Sequence, residues 1–205
     1  MPVCTILAGP NGSGKSTVYR ELDVPGPFIN ADVLARKLNP LNPEQAAIAA
    51  GRLVLAELDR AIRANEDFVY ETTLSSHQSI ALMQRARHAG YEIGLVFVGL
   101  RGVFLNVERV ASRVAMGGHD ISEQIIRRRY TTSFARLSQA IILADVTTIY
   151  DNSELDRPIL ILQISRGGIE VCKLDGAQAY HRRIADIASQ ALSVTTIEVL
   201  SLASR

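Results

Sequence analysis

The chain has 205 residues, 47% of them hydrophobic and 21% charged, with a net charge of +1. Such a chain is expected to be globular and long enough to bury one sizeable core. The near-neutral balance, 5% aromatic content and absence of Trp exclude a general nucleic-acid binder, which needs a basic field and a stacking platform. No apolar run approaches the ~18 residues of a membrane span, and no secretory leader is visible. Cys4 and Cys172 lie far apart in apolar runs, as expected of reduced core residues in a cytoplasmic protein.

Taken in order, Pro2 to Ala8 reads as a buried strand. It runs into Gly9-Pro10-Asn11-Gly12-Ser13-Gly14-Lys15-Ser16-Thr17, which satisfies G-x-x-x-x-G-K-[ST] at every fixed position. A helix is expected from Lys15 to Leu22. Strand, glycine loop and helix together form a phosphate cradle. The helix start offers unpaired N–H groups and partial positive charge, and the glycines let the backbone curl around an anion. Lys15 would face the β- and γ-phosphates of ATP, and Ser16 would ligate Mg²⁺.

Pro25-Gly26-Pro27 breaks the first helix. A short strand over 28–31 delivers Asp32, a candidate base toward a substrate hydroxyl or else the cap of a helix starting at Val33. A long helix is expected from Pro43 to about Ala64, with Asn42 as its cap and Ile48, Leu55, Leu58 and Ile62 on its apolar stripe. The next strand, 68–70, ends in Glu71-Thr72-Thr73. These residues are candidates to bind substrate, with Glu71 also able to hold a metal-bound water; the alternative is a strand end whose hydroxyls cap a turn.

A helix over 79–89 and an apolar strand over 91–98 follow. Segment 103–130 reads as two helices broken at Gly117-Gly118-His119-Asp120. Arg109 and Arg113 lie on the first arm and Arg127-Arg128-Arg129 on the second. A helical hairpin with arginines on both arms suits a lid that brings guanidinium charge to transferring phosphates. The alternative is a solvated basic face. Arg128 is the favoured residue of the three, and His119 suits a hydrogen bond that shapes the lid. The second helix is expected to run from Ser122 to Leu143. A strand over 146–150 leads to Asn152 and Ser153, placed either for adenine or ribose or simply in a turn. A β-hairpin over 159–173, a helix from Ala177 to Leu192 and a weakly patterned tail complete the chain.

The alternation predicts one α/β domain over 1–205, in three layers around a mostly parallel sheet. Residues 103–130 form its helical lid, and 158–205 its C-terminal hairpin, helix and tail. Sheets of this kind gather ligands at the strands' carboxyl ends, where the glycine loop, Asp32 and Glu71 all fall.

The ordered set of glycine loop, Phe28-Ile29-Asn30-Ala31-Asp32, Glu71-Thr72-Thr73, Arg113, Gly117-Gly118-His119, Arg127-Arg128-Arg129-Tyr130 and Asp151-Asn152-Ser153 resembles the short zeta-toxin-like P-loop kinases over roughly residues 1 to 155. The resemblance implies a P-loop NTPase fold and phosphorylation of a sugar nucleotide such as UDP-N-acetylglucosamine, with ATP and Mg²⁺. It implies Asp32 as base, Lys15, Arg113 and Arg128 on the phosphates, and Glu71 with Thr73 on the sugar nucleotide. An antitoxin protein is the partner it suggests. A nucleotide-dependent switch, engaging a partner through the segment after Pro158, is the alternative reading.

Overall fold

A computed structural model of the chain describes residues 1–118, 120–154, 157–166 and 168–204. His119 lies outside the described residues. Strand β1 (Val3–Ala8) ends at the glycine loop, and α1 (Lys15–Glu21) begins directly after it. Strand β2 is only Phe28–Ile29. The expected longer strand is cut short because the Asn30 side chain accepts the Val33 amide at 2.9 Å and caps α2 (Ala31–Leu38). Asp32 therefore sits inside the first helical turn and is not the cap.

Helix α3 (Ala47–Ala64) starts later than the Asn42–Pro43 signal implied, after a run of turns. Its buried line is Ala50, Val54, Leu58 and Ala61, while Ile48 is 76% exposed and Leu55 41% exposed. The small side chains decide this. Ala35, Ala46 and Ala50 form a local cluster that brings α2 and α3 close together, turning Ile48 outward.

Strand β3 (Phe68–Thr72), α4 (His77–His88), β4 (Glu92–Gly99), α5 (Val103–Ala115), α6 (Glu123–Leu143) and β5 (Val146–Asp151) follow within a few residues of expectation. The hairpin β6 (Ile159–Ser165) and β7 (Gly168–Cys172) precedes α7 (Ala179–Leu192). The tail is ordered: α8 (Thr196–Ser201) carries a Thr195–Glu198 capping box and buries Val199 fully.

The strands form one sheet in the order β2-β3-β1-β4-β5-β6-β7. The first five are parallel, and the β5–β6 and β6–β7 pairs are antiparallel. Alternate residues serve opposite faces. Ile6, Phe68, Leu95, Phe97 and Ile149 join the large core shared with α3, α4, α6, α7 and α8, whereas Leu7, Val69, Val96 and Val98 pack with Val18 of α1 in a smaller one. Strand order reverses at β1, which stands between β3 and β4. The resulting crevice is the place such sheets offer a ligand. No helix among the described residues is long and apolar enough to cross a membrane.

Candidate functional site

The glycine loop is shaped by its own backbone and held from outside. Gly12 and Gly14 have φ of +76° and +90°, in the left-handed region. A Cβ on Gly14 would lie 2.1 Å from the Asn152 amide nitrogen, and one on Gly12 would lie 2.6 Å from the Asn106 carbonyl oxygen. Three side chains brace the loop. Asn106 of α5 donates to the Asn11 carbonyl at 2.6 Å, Arg129 of α6 donates to Asn11 Oδ1 at 3.2 Å, and Asn152 after β5 donates to the Ser13 carbonyl at 2.9 Å. Helix α1 has no side-chain cap; the Thr17 amide bonds the Gly14 carbonyl at 3.0 Å, and the amides of Lys15 and Ser16 are the ones at the helix start that suit an anion. Ser13 Oγ is buried and makes no hydrogen bond.

Lys15 is almost fully buried. Its Nζ donates to the Gly9 and Pro10 carbonyls at 2.8 and 3.2 Å and stands 3.8 Å from Glu71 Oε1. Burial holds its pKa below the usual lysine value; Glu71 and Asp32 work against that shift, and Arg113 and Arg129 add to it. Charged groups from α2, β3, α5 and α6 thus converge on one ammonium. Arg129 is likewise lowered, first by burial and then by neighbouring Arg128, with Asp32 opposing.

The arginines of α5 and α6 separate by helical phase. Arg127 pairs with Glu123 on the outer surface, Arg128 is exposed, and Arg129 turns inward to the loop. Arg129, not Arg128, is the α6 arginine placed beside the phosphate cradle. Arg109 reaches the Ser153 and Glu154 carbonyls at 3.4 Å each, next to Gly14, and ties α5 to the end of β5. Asn152 braces the loop from behind, with its amide committed to Ser13.

Strand β3 places its residues differently from one another. Glu71 pairs in register with Leu7 of β1 and faces Lys15, and its Oε2 is buried without a hydrogen bond. Thr72 Oγ1 bonds Ser79 Oγ at 2.8 Å and accepts the Leu74 amide at 3.1 Å; Thr73 Oγ1 bonds Ser75 Oγ at 2.7 Å. Both hydroxyls serve a local turn whose buried Leu74 has φ of +57°. Arg136 of α6 pins that turn through the Ser75 carbonyl at 2.8 Å.

A cavity of about 870 Å³ is lined by Asp32 and Arg36 of α2, by the α2–α3 connection, and by Arg113 and Met116 at the end of α5. Asp32 and Arg113 thus face one chamber. Glu71, Thr72 and Thr73 do not line it.

Behind the site, the Asp175 amide donates to His181 Nδ1 at 2.9 Å, which leaves the ring proton on Nε2, 3.4 Å from Asp151 Oδ2. Burial pushes the Asp151 carboxyl up, but His181 and the Ser153 hydroxyl and amide outweigh it and hold the carboxyl below its usual range. This network fixes the end of β5, from which Asn152 projects.

Sequence reading missed Asn106, Arg136 and His181. Asn106 and Arg136 each carried a signal. Asn106 is the lone polar residue on the buried line of α5, with Val110 four residues on, and Arg136 follows Arg129 by seven residues on the same α6 face.

The residues present fit a hard divalent cation. The Ser16 hydroxyl is exposed at the start of α1, and the orphaned Glu71 Oε2 stands on the neighbouring strand. A hydroxyl, a carboxylate and phosphate oxygens suit Mg²⁺. Among the described residues no three His, Cys, Asp or Glu gather as a cation cage.

The AAA domain family model matches residues 5–137. An uncharacterised protein of Haemophilus influenzae is 38% identical over 123 residues, covering 60% of this chain and 88% of the relative. Among solved structures, the AvrRxo1-ORF1:-ORF2 complex with ATP superposes with a TM-score of 0.62 at 14% identity, over 95% of this chain and 66% of that one. The PezAT chromosomal toxin–antitoxin system of Streptococcus pneumoniae gives a TM-score of 0.59 at 15% identity, over 100% and 85%. The expected P-loop fold with its mostly parallel sheet is thereby borne out. With the matched region spanning β1, the loop and most of α6, the chain belongs to the AAA domain family of P-loop nucleotide-binding domains.

Proposed function

We propose that the protein is an ATP- and Mg²⁺-dependent phosphotransferase acting on a hydroxyl of a small molecule. The observation that carries this reading is the shared rim. Lys15, Glu71, Arg113 and Arg129 gather at the cradle, and Asp32, whose charge also acts on Lys15, lines with Arg113 a cavity able to hold a second substrate. In the proposed reaction the acceptor hydroxyl oxygen forms a bond to the γ-phosphorus. Asp32 takes the hydroxyl proton, and the bond from that phosphorus to the bridging oxygen breaks, ADP leaving with the electron pair. Lys15, Arg113 and Arg129 neutralise the phosphoryl oxygens, while the loop amides hold the β-phosphate. Ser16 and Glu71 would hold Mg²⁺, which would supply neutralisation of phosphate charge. The lid contribution of α5 and α6 is positive charge and exclusion of water.

UDP-N-acetylglucosamine, the acceptor implied by the sequence resemblance, is the first compound to offer. ATP as donor is consistent with a cytoplasmic enzyme. The toxin–antitoxin relationship of PezAT makes a neutralising partner protein a further expectation, checked by whether expression of the chain alone arrests growth.

The decisive variant is Asp32→Asn. It should retain ATP affinity and lose transfer by about 10²- to 10⁴-fold. Equal turnover by the variant would remove Asp32 from the role of base.

A further inference from the structure

Resting on the phosphotransferase reading, we infer that the acceptor is an anionic polyol without a nucleobase: a sugar phosphate or sugar acid whose negative group lies about one helical turn from the reacting hydroxyl. The geometry of α2 sets that spacing. Asp32 and Arg36 both line the cavity, four residues apart on one helix, so they share a face at a separation of ~6 Å along the axis. Arg36 has no hydrogen-bond or ion-pair partner among the described residues, and its guanidinium suits a phosphate or carboxylate through two parallel bonds. An acceptor that places its hydroxyl at Asp32 presents its far end to Arg36.

The lining also tells against a nucleotide. Among the described residues that line the cavity none is aromatic, so there a base would forgo stacking worth about 1–3 kcal/mol. Two apolar side chains at the cavity are largely exposed instead, Leu41 at 98% and Met116 at 82%. They match the hydrocarbon side of a sugar or polyol chain. The chemistry is the transfer described above: the polyol oxygen gains the phosphoryl group, Asp32 receives the proton and ADP departs.

The test offers the full chain, with Mg²⁺ and ATP, four sets of acceptors: hexose monophosphates, sugar acids, neutral polyols and UDP-sugars including UDP-N-acetylglucosamine. Products are read by mass spectrometry. Transfer to one of the first two sets is expected and identifies the anion. Arg36→Gln should raise the KM of that acceptor by about 10-fold or more, with kcat and ATP affinity little changed, and Arg36→Lys should recover part of the loss. Transfer confined to UDP-sugars or neutral polyols, indifferent to Arg36→Gln, would overturn this inference and leave the phosphotransferase reading standing. If no set is phosphorylated, binding of the same compounds to Asp32→Asn decides. Arg36-dependent binding of sugar phosphates or acids would uphold the cavity assignment and overturn the reaction, and no binding would overturn both.

Discussion

The side-chain amide of Asn152 donates to the Ser13 carbonyl at 2.9 Å, joining residues 139 positions apart. The end of β5 thereby holds the glycine loop in shape. Asn152→Ala leaves a buried carbonyl unpaired, which costs about 1–3 kcal/mol, equivalent to roughly 5- to 150-fold in affinity. ATP and inorganic tripolyphosphate should weaken together, measured by calorimetry. Loss confined to ATP would place Asn152 on the base or ribose instead.

Arg128 and Arg129 differ by one position and by their whole environment. Arg129→Ala should lower kcat by about 10²- to 10³-fold, the cost of removing one preorganised donor from a developing charge. Arg128→Ala should stay within about 2-fold, as exposed substitutions do. Steady-state kinetics of the two variants, side by side, decide which arginine serves the phosphates.

Lys15 titrates below the usual lysine value because it is buried. Its charged form binds phosphate, so ATP affinity should fall as pH rises through that lowered pKa, earlier than an ordinary lysine near 10.4 would allow. Arginine stays protonated there, so Lys15→Arg should flatten this alkaline limb even if it binds more weakly overall. For folding the sign is opposite. The folded chain sheds this proton more readily than the unfolded one, so stability rises with pH in the same window. Kd against pH, beside urea midpoints, separates the two.

Asp145 staples three strands. It accepts the Ile93 amide at 2.8 Å and two Arg166 bonds at 2.9 and 2.7 Å. Burial pushes its carboxyl up, but these partners outweigh burial and hold it below the usual carboxylate range. A depressed carboxyl stabilises above its unfolded pKa and loses that contribution as pH falls through the folded one. Asp145→Asn should therefore cost about 1–3 kcal/mol at neutral pH, with the gap to the parent closing in acid. Urea unfolding at several pH values measures it.

What could be read from the chain depended on how local its cause was. Gly9 to Thr17 was legible because the loop's conformation and chemistry reside in nine consecutive residues. Most strand and helix limits were legible for the same reason. The choice between Arg128 and Arg129 was not, because each residue turns a helix by 100° and docking of α6 sets its phase. Ala50 and Ala61 could not outrank Ile48 by hydrophobicity; their value is close approach to neighbours that only the fold supplies. Thr72 and Thr73 read as substrate ligands first and turn formers second, because nothing local in the sequence separates the two roles; Ser79, Leu74 and Ser75 claim them locally.

The three braces on the loop come from residues 106, 129 and 152, reaching back 95, 118 and 139 positions. Long-range contacts form late, since chain closure must come first. During synthesis the nine loop residues emerge early, yet their supports follow only when β5 has been made. A nascent chain stopped before Asn152 would carry the complete phosphate-binding motif without the frame that fixes it. Nucleotide retention by ribosome-bound chains of increasing length should therefore rise only once the end of β5 has left the exit tunnel, and competence to hold ATP would mark the completion of the sheet's parallel half.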